Sequence, residues 1–429
     1  MTAPFRSLAG LTTRGRCLLA AGLALGGCAV LLGQRDLLRA AIFLLTLPLA
    51  AVALVVRTRY RLSCSRLLDP PRVEAGQPCV VRLRLDNVSR LPSGVLLMED
   101  ALPYVLGVRP RFVLDKVEPQ GVREVSYPVR SDVRGHYRIG PLSVRLTDPF
   151  GMCELTRSFA TTEDLVVTPS VTPLPPVRLG GDWAGGGDGA ARSVASAGTD
   201  DAATREYRHG DDLRKVHWRS TARVGELMVR REEQPFQSRA TLLLDARGGA
   251  HRGDGPASSF EWSVSAVASI SVTLARAGFG LRLVGDTGLD LVRAGMAHTE
   301  GLLLESLAGV RPSAGATLEP VNQRLRRTGV DGVLVAVLGQ LAAADAERLA
   351  RLRHGTAACV AVLVETETWA PGGQRVREST RAAYDASAQL LLGAGWRVLR
   401  VPHGTSLASV WPLAGNRAPV LRNPDRVSV

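Results

Sequence analysis

The sequence predicts a chain of mixed class, α/β plus all-β. A two-helix transmembrane hairpin comes first, then an immunoglobulin-like β-sandwich, then a doubly wound α/β domain. Three observations predict this order: two apolar runs open the chain, apolar and polar residues then alternate at period two between turn residues, and beyond Pro235 continuous apolar strands alternate with helical segments. With 429 residues the chain is long enough to bury two sizeable cores.

Residues 1–59 form the predicted hairpin. Its two apolar runs, 17–33 and 40–56, would each extend about 26 Å as helix at ~1.5 Å per residue, close to the ~30 Å of a bilayer's hydrocarbon core. Only QRDLLR separates them. Arg6, Arg14 and Arg16 precede the first run, and Arg57, Arg59, Arg61 and Arg66 follow the second. The positive-inside bias therefore predicts a two-pass protein of the inner (cytoplasmic) membrane, with both ends and all later residues in the cytoplasm. A cleaved export signal is the competing reading, because LGGC at Leu25–Cys28 resembles a lipoprotein cleavage box. The basic cluster after the second run opposes it. The six cysteines have no paired or zinc-like spacing, which predicts reduced thiols.

Lys+Arg exceed Asp+Glu by 53 to 40, a formal charge of +13 carried almost wholly by arginine. Nucleic acid, an anionic membrane surface and a general arginine bias all produce such a balance. Aromatic residues make up 5% of the chain, with no motif for base stacking or groove reading, so no nucleic-acid partner is expected.

Residues 60–171 carry short alternating runs such as CVVRLRLDN, RFVLDKV and LSVRLTD, which predict the sandwich; Asn87–Pro92 and Asp148–Gly151 supply turn chemistry. Residues 172–203 are Pro-rich, then Gly-, Ala- and Ser-rich, and predict a flexible linker. A charged segment occupies 204–234. Residues 235–415 carry TLLLDA, LRLVGD, GVLVAVLG, ACVAVLVE and WRVLRV between amphipathic stretches, which predicts a mostly parallel sheet covered on both faces. Residues 416–429 lack periodicity and predict a disordered tail.

The charged segment mixes both signs between Glu206 and Glu233. A nucleic-acid tail keeps one sign, so the pattern predicts a buried or half-buried ionic network that includes Trp218. HGDD at His209–Asp212 has the form of a helix start, with Leu213, Val216, His217 and Ser220 on one face and Gly225 as the stop; Leu227–Arg230 resumes as a strand. A structural network, an anionic-ligand or partner site, and catalysis by the carboxylates all remain open. His209 and His217 read as structural imidazoles, since no nucleophile stands at a diagnostic spacing.

From Tyr207 to Glu233 the pattern Y-x-x-G-D-D-x-R-x-x-x-W-x-x-T-A-R-x-G-E-L-x-V-R-x-x-E resembles the signature of the bacterial proteins grouped as family 58 of the domains of unknown function. RGHYRIGPLSVRLTDPFG, Arg134 to Gly151, and the two leading helices extend the resemblance. The resemblance implies a C-terminal domain similar to von Willebrand factor A. It implies a MoxR-type AAA+ ATPase partner and, in some members, a transglutaminase-like membrane protein. It also marks Tyr207, Gly210, Asp211, Asp212, Arg214, Trp218, Arg223, Gly225, Glu226, Arg230 and Glu233 as partner-binding or structural positions. Von Willebrand-type domains hold a divalent cation with D-x-S-x-S after the first strand. Asp245 is in place here, but Arg247 and Gly249 stand where the hydroxyls belong, and Leu338, Gly339 and Gln340 replace the later Thr-Asp-Gly step. No metal and no cofactor are expected, and Asp245 is expected to pair with Arg247 or to cap the next helix.

The resulting expectation is a non-enzymatic, membrane-anchored cytoplasmic adaptor for the ATPase, in complex assembly or cell-envelope processes. The alternatives are an anionic-ligand or nucleic-acid-binding membrane protein and a hydrolase that uses the signature carboxylates.

Overall fold

The computed structural model describes residues 10–58, 62–90, 92–93, 95–147, 150–177, 179, 204–207, 216, 218–230, 239–286, 290–294, 299–330, 332–353, 358–369 and 374–415. The chain divides into two compact units, Met1–Pro169 and Ser170–Val429. The expected tail, 416–429, lies outside the described residues.

In the first unit the two apolar runs are helices α1 (Thr13–Leu32) and α2 (Arg35–Thr58). Both are long and apolar enough to cross a membrane. The Thr12 hydroxyl caps α1 by accepting from Gly15 N, and Gly33 ends it with φ +63°. Gly15, Gly22 and Ala29 are the buried positions of α1. A Cβ on Gly22 would lie 2.9 Å from Leu45 Cδ2, so the small residue is what lets the helices approach.

Strands β1 (Leu62–Asp69), β3 (Pro78–Asn87) and β6 (Val122–Arg130) form one antiparallel sheet in the order β1-β3-β6. Strands β4 (Val95–Asp100), β5 (Arg111–Leu114), β8 (Leu142–Thr147) and β9 (Glu154–Phe159) form another, in the order β5-β4-β8-β9. A third joins β2 (Arg72–Glu74), β10 (Glu163–Thr168) and β7 (Gly135–Ile139). Period-two patterning is literal in β3, where Cys79, Val81, Leu83 and Leu85 are buried between exposed neighbours. Those residues share one core with Leu96 and Met98 of β4, Ile139 of β7 and Val144 of β8. Inside it, the Arg66 guanidinium pairs with Asp100, and Tyr127 donates its hydroxyl to the same carboxylate. Arg66 Nη1 also donates to Ile139 O at 3.1 Å and Thr161 O at 2.8 Å. Gly140 is glycine for this reason: at φ +103° its Cβ would stand 2.5 Å from Arg66 Nη1.

The helices are continuous with this core. Thr12 N donates to Met152 O at 2.9 Å, Glu154 N donates to Gly10 O at 2.7 Å, and the Thr12 hydroxyl donates to Gly151 O at 2.7 Å. Ala51 belongs to the core, with Leu18, Leu47 and Val52 packed against it.

The second unit is built on a six-stranded sheet. Its strands β13 (Arg239–Leu244), β14 (Gly280–Gly285), β15 (Asp290–Ala294), β16 (Val333–Leu338), β17 (Ala358–Val364) and β18 (Arg397–Val401) run in the order β15-β14-β13-β16-β17-β18. Every pairing is parallel except β14 with β15. Successive residues of a buried strand face opposite layers. Leu242 and Leu244 join α4 (Ser259–Arg276) and α5 (Thr299–Gly309). Leu243 joins α6 (Glu319–Thr328), α7 (Ala343–Ala350) and α8 (Gln374–Gly393). Both faces are thereby covered, which is why these strands read as unbroken apolar runs. After β18, helix α9 spans Leu407–Val410.

The segment expected to be a flexible linker departs from that reading at its start. Val171, Leu174 and Val177 pack against the α4 side of the sheet, and Leu179 is buried there. Thr172 N donates to Ser269 Oγ at 2.9 Å. A spacing of three is that of a polyproline II helix, so one apolar edge of an otherwise polar, Pro-rich segment meets the core. Composition conceals such an edge, because only every third residue carries it. Residues 180–203 lie outside the described residues.

Candidate functional site

Two places have the chemistry of a site: the charged segment and the carboxyl ends of the parallel strands.

In the charged segment, β11 (Thr204–Glu206) pairs antiparallel with β12 (Met228–Arg230), and Tyr207 N donates to Leu227 O at 2.8 Å. Helix α3 (Trp218–Val224) stands between the two strands in sequence. Gly225 ends it with φ +84°, and Gly225 N donates to Thr221 O at 2.9 Å, so the expected stop is a left-handed glycine. The Thr221 hydroxyl then accepts Met228 N at 3.0 Å and fixes the turn into β12.

Burial differs from expectation. Trp218 is 72% exposed, and Arg223 and Glu226 are exposed as well. The expected buried ionic network around Trp218 therefore does not describe these three residues. The physical reason is the shortness of α3: seven residues give it two turns, and Val224 and Leu227, the apolar residues that follow Trp218, are themselves 59% and 41% exposed. Tyr207 is half-buried. Gly210, Asp211, Asp212, Arg214 and Glu233, together with the expected helix start at His209–Asp212, lie outside the described residues, and Arg230 is described by its backbone in β12.

At the strand ends, the sheet order reverses direction between β13 and β16, and there an open α/β sheet leaves a crevice at the carboxyl ends of its strands. Arg247 fills it. Its Nε and Nη2 donate to the two oxygens of Asp245 at 2.9 and 2.8 Å. Nη1 donates to Asp345 Oδ2 at 3.1 Å and Ala316 O at 3.3 Å, and Nη2 also donates to Gln340 O at 3.2 Å. The five N–H groups of the guanidinium thus meet five acceptors. Asp245 accepts two further bonds, from Arg247 N and Gly339 N, both at 3.2 Å. The Arg247, Asp245 and Asp345 side chains are 5%, 0% and 2% exposed.

The expected Asp245–Arg247 pair is present, and a third member, Asp345, comes from the first turn of α7. Asp286, after β14, adds a third acid, whose carboxylate accepts the Ser313 hydroxyl. Burial opposes charge on Arg247, but the Asp245 hydrogen bonds and the negative charges of Asp245, Asp345 and Asp286 outweigh it and raise its pKa. His251 lies against the same loop: Nε2 bonds Asp245 O at 2.8 Å and Nδ1 bonds Ser259 Oγ at 3.2 Å. A carbonyl only accepts, so Nε2 carries the proton and Nδ1 accepts from the serine. Burial lowers the His251 pKa. Gly339 closes the crevice because a Cβ there would lie 2.4 Å from Ala250 O.

The signal for Asp345 was in the sequence, two residues into an amphipathic stretch after β16. Nothing local joins it to a residue 98 positions away. Among the described residues no group of three or more His, Cys, Asp or Glu side chains is disposed to hold a metal. The carboxylates that come together share the Arg247 guanidinium, and Asp345 also pairs with Arg348 Nη1 at 3.4 Å.

Residues 203–370 match the family model described as "Protein of unknown function DUF58". The uncharacterized protein YeaD of Bacillus subtilis (strain 168) is 26% identical over 247 residues, covering 56% of this chain and 60% of YeaD, so the match spans less than two thirds of that relative. Among solved structures, the CARDB domain of the PF1109 protein from Pyrococcus furiosus is 10% identical, covering 25% of this chain and 86% of that one, with a TM-score of 0.19. The complex of zinc 2-glycoprotein and prolactin inducible protein from human seminal plasma is 11% identical, covering 24% and 92%, with a TM-score of 0.20.

Proposed function

We propose, from the match of residues 203–370 to the DUF58 family model and the likeness to YeaD, that this chain belongs to that family and is a membrane-anchored docking protein rather than an enzyme. Its anchor is the α1–α2 hairpin and its partner a MoxR-type AAA+ ATPase. Both soluble units lie on the cytoplasmic side, a reading supported by Arg14 and Arg16 near the start of α1 and by the arginines after α2. The first unit is immunoglobulin-like. The second is von Willebrand factor A-like, a reading supported by its sheet order, its antiparallel edge strand and Asp245 at the end of β13.

The observation that carries the docking role is Trp218, 72% exposed within the family signature beside exposed Val224 and Leu227. Water-facing indoles with apolar neighbours are costly on a free surface and are enriched as anchors in interfaces. The strand-end crevice supports the same reading, because Arg247 fills it and its Asp245 and Asp345 carboxylates are engaged by arginine. A transglutaminase-like membrane protein is a further candidate partner, through the same assembly.

Pull-down of the full chain from a membrane fraction tests the proposal. The ATPase should be recovered with the wild type and lost with Trp218→Ala, for which an anchor of this kind predicts about 2 kcal/mol or more, roughly thirtyfold. Repeated failure of the wild-type chain to recover any ATPase overturns the assignment.

A further inference from the structure

We propose that the second unit carries a second docking site, a cavity beside α4 that takes an extended proline-rich peptide from a partner protein. The cavity has a volume of about 420 Å³, within the ~300–1,000 Å³ typical of ligand pockets. One wall is the segment that leads into the unit, with Ser170 and Thr172. Another is the amino-terminal half of α4, with Trp262, and the remaining wall comes from the loops after β17 and β18, with Trp369 and His403.

Three observations select the occupant. The first is the aromatic wall. Trp262 and Trp369 have ring centroids 6.3 Å apart with planes at 65°, and Trp369 and His403 are 5.2 Å apart at 81°. Rings in edge-to-face contact brace one another into one continuous aromatic wall, the kind of surface on which the pyrrolidine rings of polyproline II ligands dock. The second is charge. The chain has 53 basic residues, yet none of the described lining residues is Lys or Arg, and Glu261 adds a carboxylate. Phosphates and other anionic ligands gain nothing there. The hydrogen-bonding groups are indole N–H, imidazole and hydroxyl. They suit a backbone whose carbonyls are free and whose N–H groups are largely missing, as in a proline-rich chain.

The third observation is that α4 already holds such a segment. The chain's own residues 170–177 lie along this helix through Val171, Leu174 and Val177, with the Ser170 and Ser265 hydroxyls 3.1 Å apart and Thr172 N bonded to Ser269 Oγ. A second proline-rich strand laid beside it would meet the exposed side of the same surface. Trp218 is not among the residues that line the cavity, and the site does not depend on the identity of any partner that Trp218 binds.

Titration of the full chain in detergent micelles with decaproline and with a Leu-Pro-Pro repeat peptide, followed by calorimetry, tests the site. Saturable binding of one peptide per chain is expected, weakened about tenfold or more by Trp369→Ala and partly restored in Trp369→Phe. His403→Ala changes an exposed side chain, so it weakens binding without touching the core even where the tryptophan variant fails to fold. Melting curves by circular dichroism report on folding. Absence of peptide binding to the wild type overturns the proposal. So does binding that both Trp369→Ala and His403→Ala leave unchanged, and so does selective binding of a neutral oligosaccharide in place of the peptides.

Discussion

Arg247 is the residue whose loss would be felt most in the second unit. Its guanidinium is the counter-charge for Asp245 and shares Asp345 with Arg348, the Arg247, Asp245 and Asp345 side chains being 5% exposed or less. Removing one partner of a buried ionic group leaves the rest desolvated and uncompensated, which costs about 3–5 kcal/mol. Arg247→Met should therefore lower the stability of the second unit by that amount in urea, read by tryptophan fluorescence. A loss under about 1 kcal/mol would mean that water already reaches the carboxylates. Gly339→Ala should act on the same cluster from the backbone, at a cost of about 1–3 kcal/mol. His251 gives the cluster a pH dependence. Its folded pKa lies below its ordinary value of 6.5, so the unfolded chain binds the proton first. Stability is then complete above about pH 6.5 and declines as the pH falls from there through the lower folded value. The urea midpoint should drop between pH 7.5 and 5.5 in the wild type and drop less in His251→Gln. Of these residues, Asp245 and Arg247 were legible in the sequence because they stand two places apart at the strand end, where the resemblance to von Willebrand-type domains implies a D-x-S-x-S step. Asp345 and His251 were not, since only the fold's turn across the top of the sheet brings them in.

At the scale of elements, what the sequence disclosed follows from periodicity. Strand β3 was legible because its burial alternates strictly, and β16 because all six of its residues are buried. The start of the presumed linker was missed because its apolar residues recur every third position, a period that neither a strand nor an α-helix has. The exposure of Trp218 was missed for a different reason: a large aromatic residue among arginines reads as a buried anchor, whereas a seven-residue helix has little face to bury it. The docked segment carries its own prediction. Thr172 N is held by Ser269 Oγ, so its amide should exchange slowly. Replacing Leu174 and Val177 together by Ser should speed exchange at Thr172 by about tenfold or more while leaving the β16 amides protected. Equal exchange in the two proteins would show that the segment gains nothing from its apolar edge.

At the scale of the whole chain, the helical hairpin and the first unit's sheets form one folding unit. Gly10 and Thr12 exchange backbone hydrogen bonds with Met152 and Glu154, a Cβ on Gly15 would lie 2.4 Å from Met152 O, and Ala51 is 5% exposed inside the sandwich core. An anchor joined only by a tether would show none of these contacts. A chain shortened to residues 59–429 therefore loses more than two apolar helices: it uncovers the patch that Leu18, Leu47 and Val52 pack against. At ~25 cal/mol per Å² of apolar surface, even ~100 Å² newly exposed amounts to ~2.5 kcal/mol. The shortened protein should melt earlier by circular dichroism than the full chain in detergent, and should bind a hydrophobic dye that the full chain does not. Restoring residues 10–58 should reverse both changes, and restoring them with Gly15→Val should not, because the branched side chain would hold the start of α1 away from Met152. Identical melting of the shortened and full chains would mean that the hairpin is only an anchor.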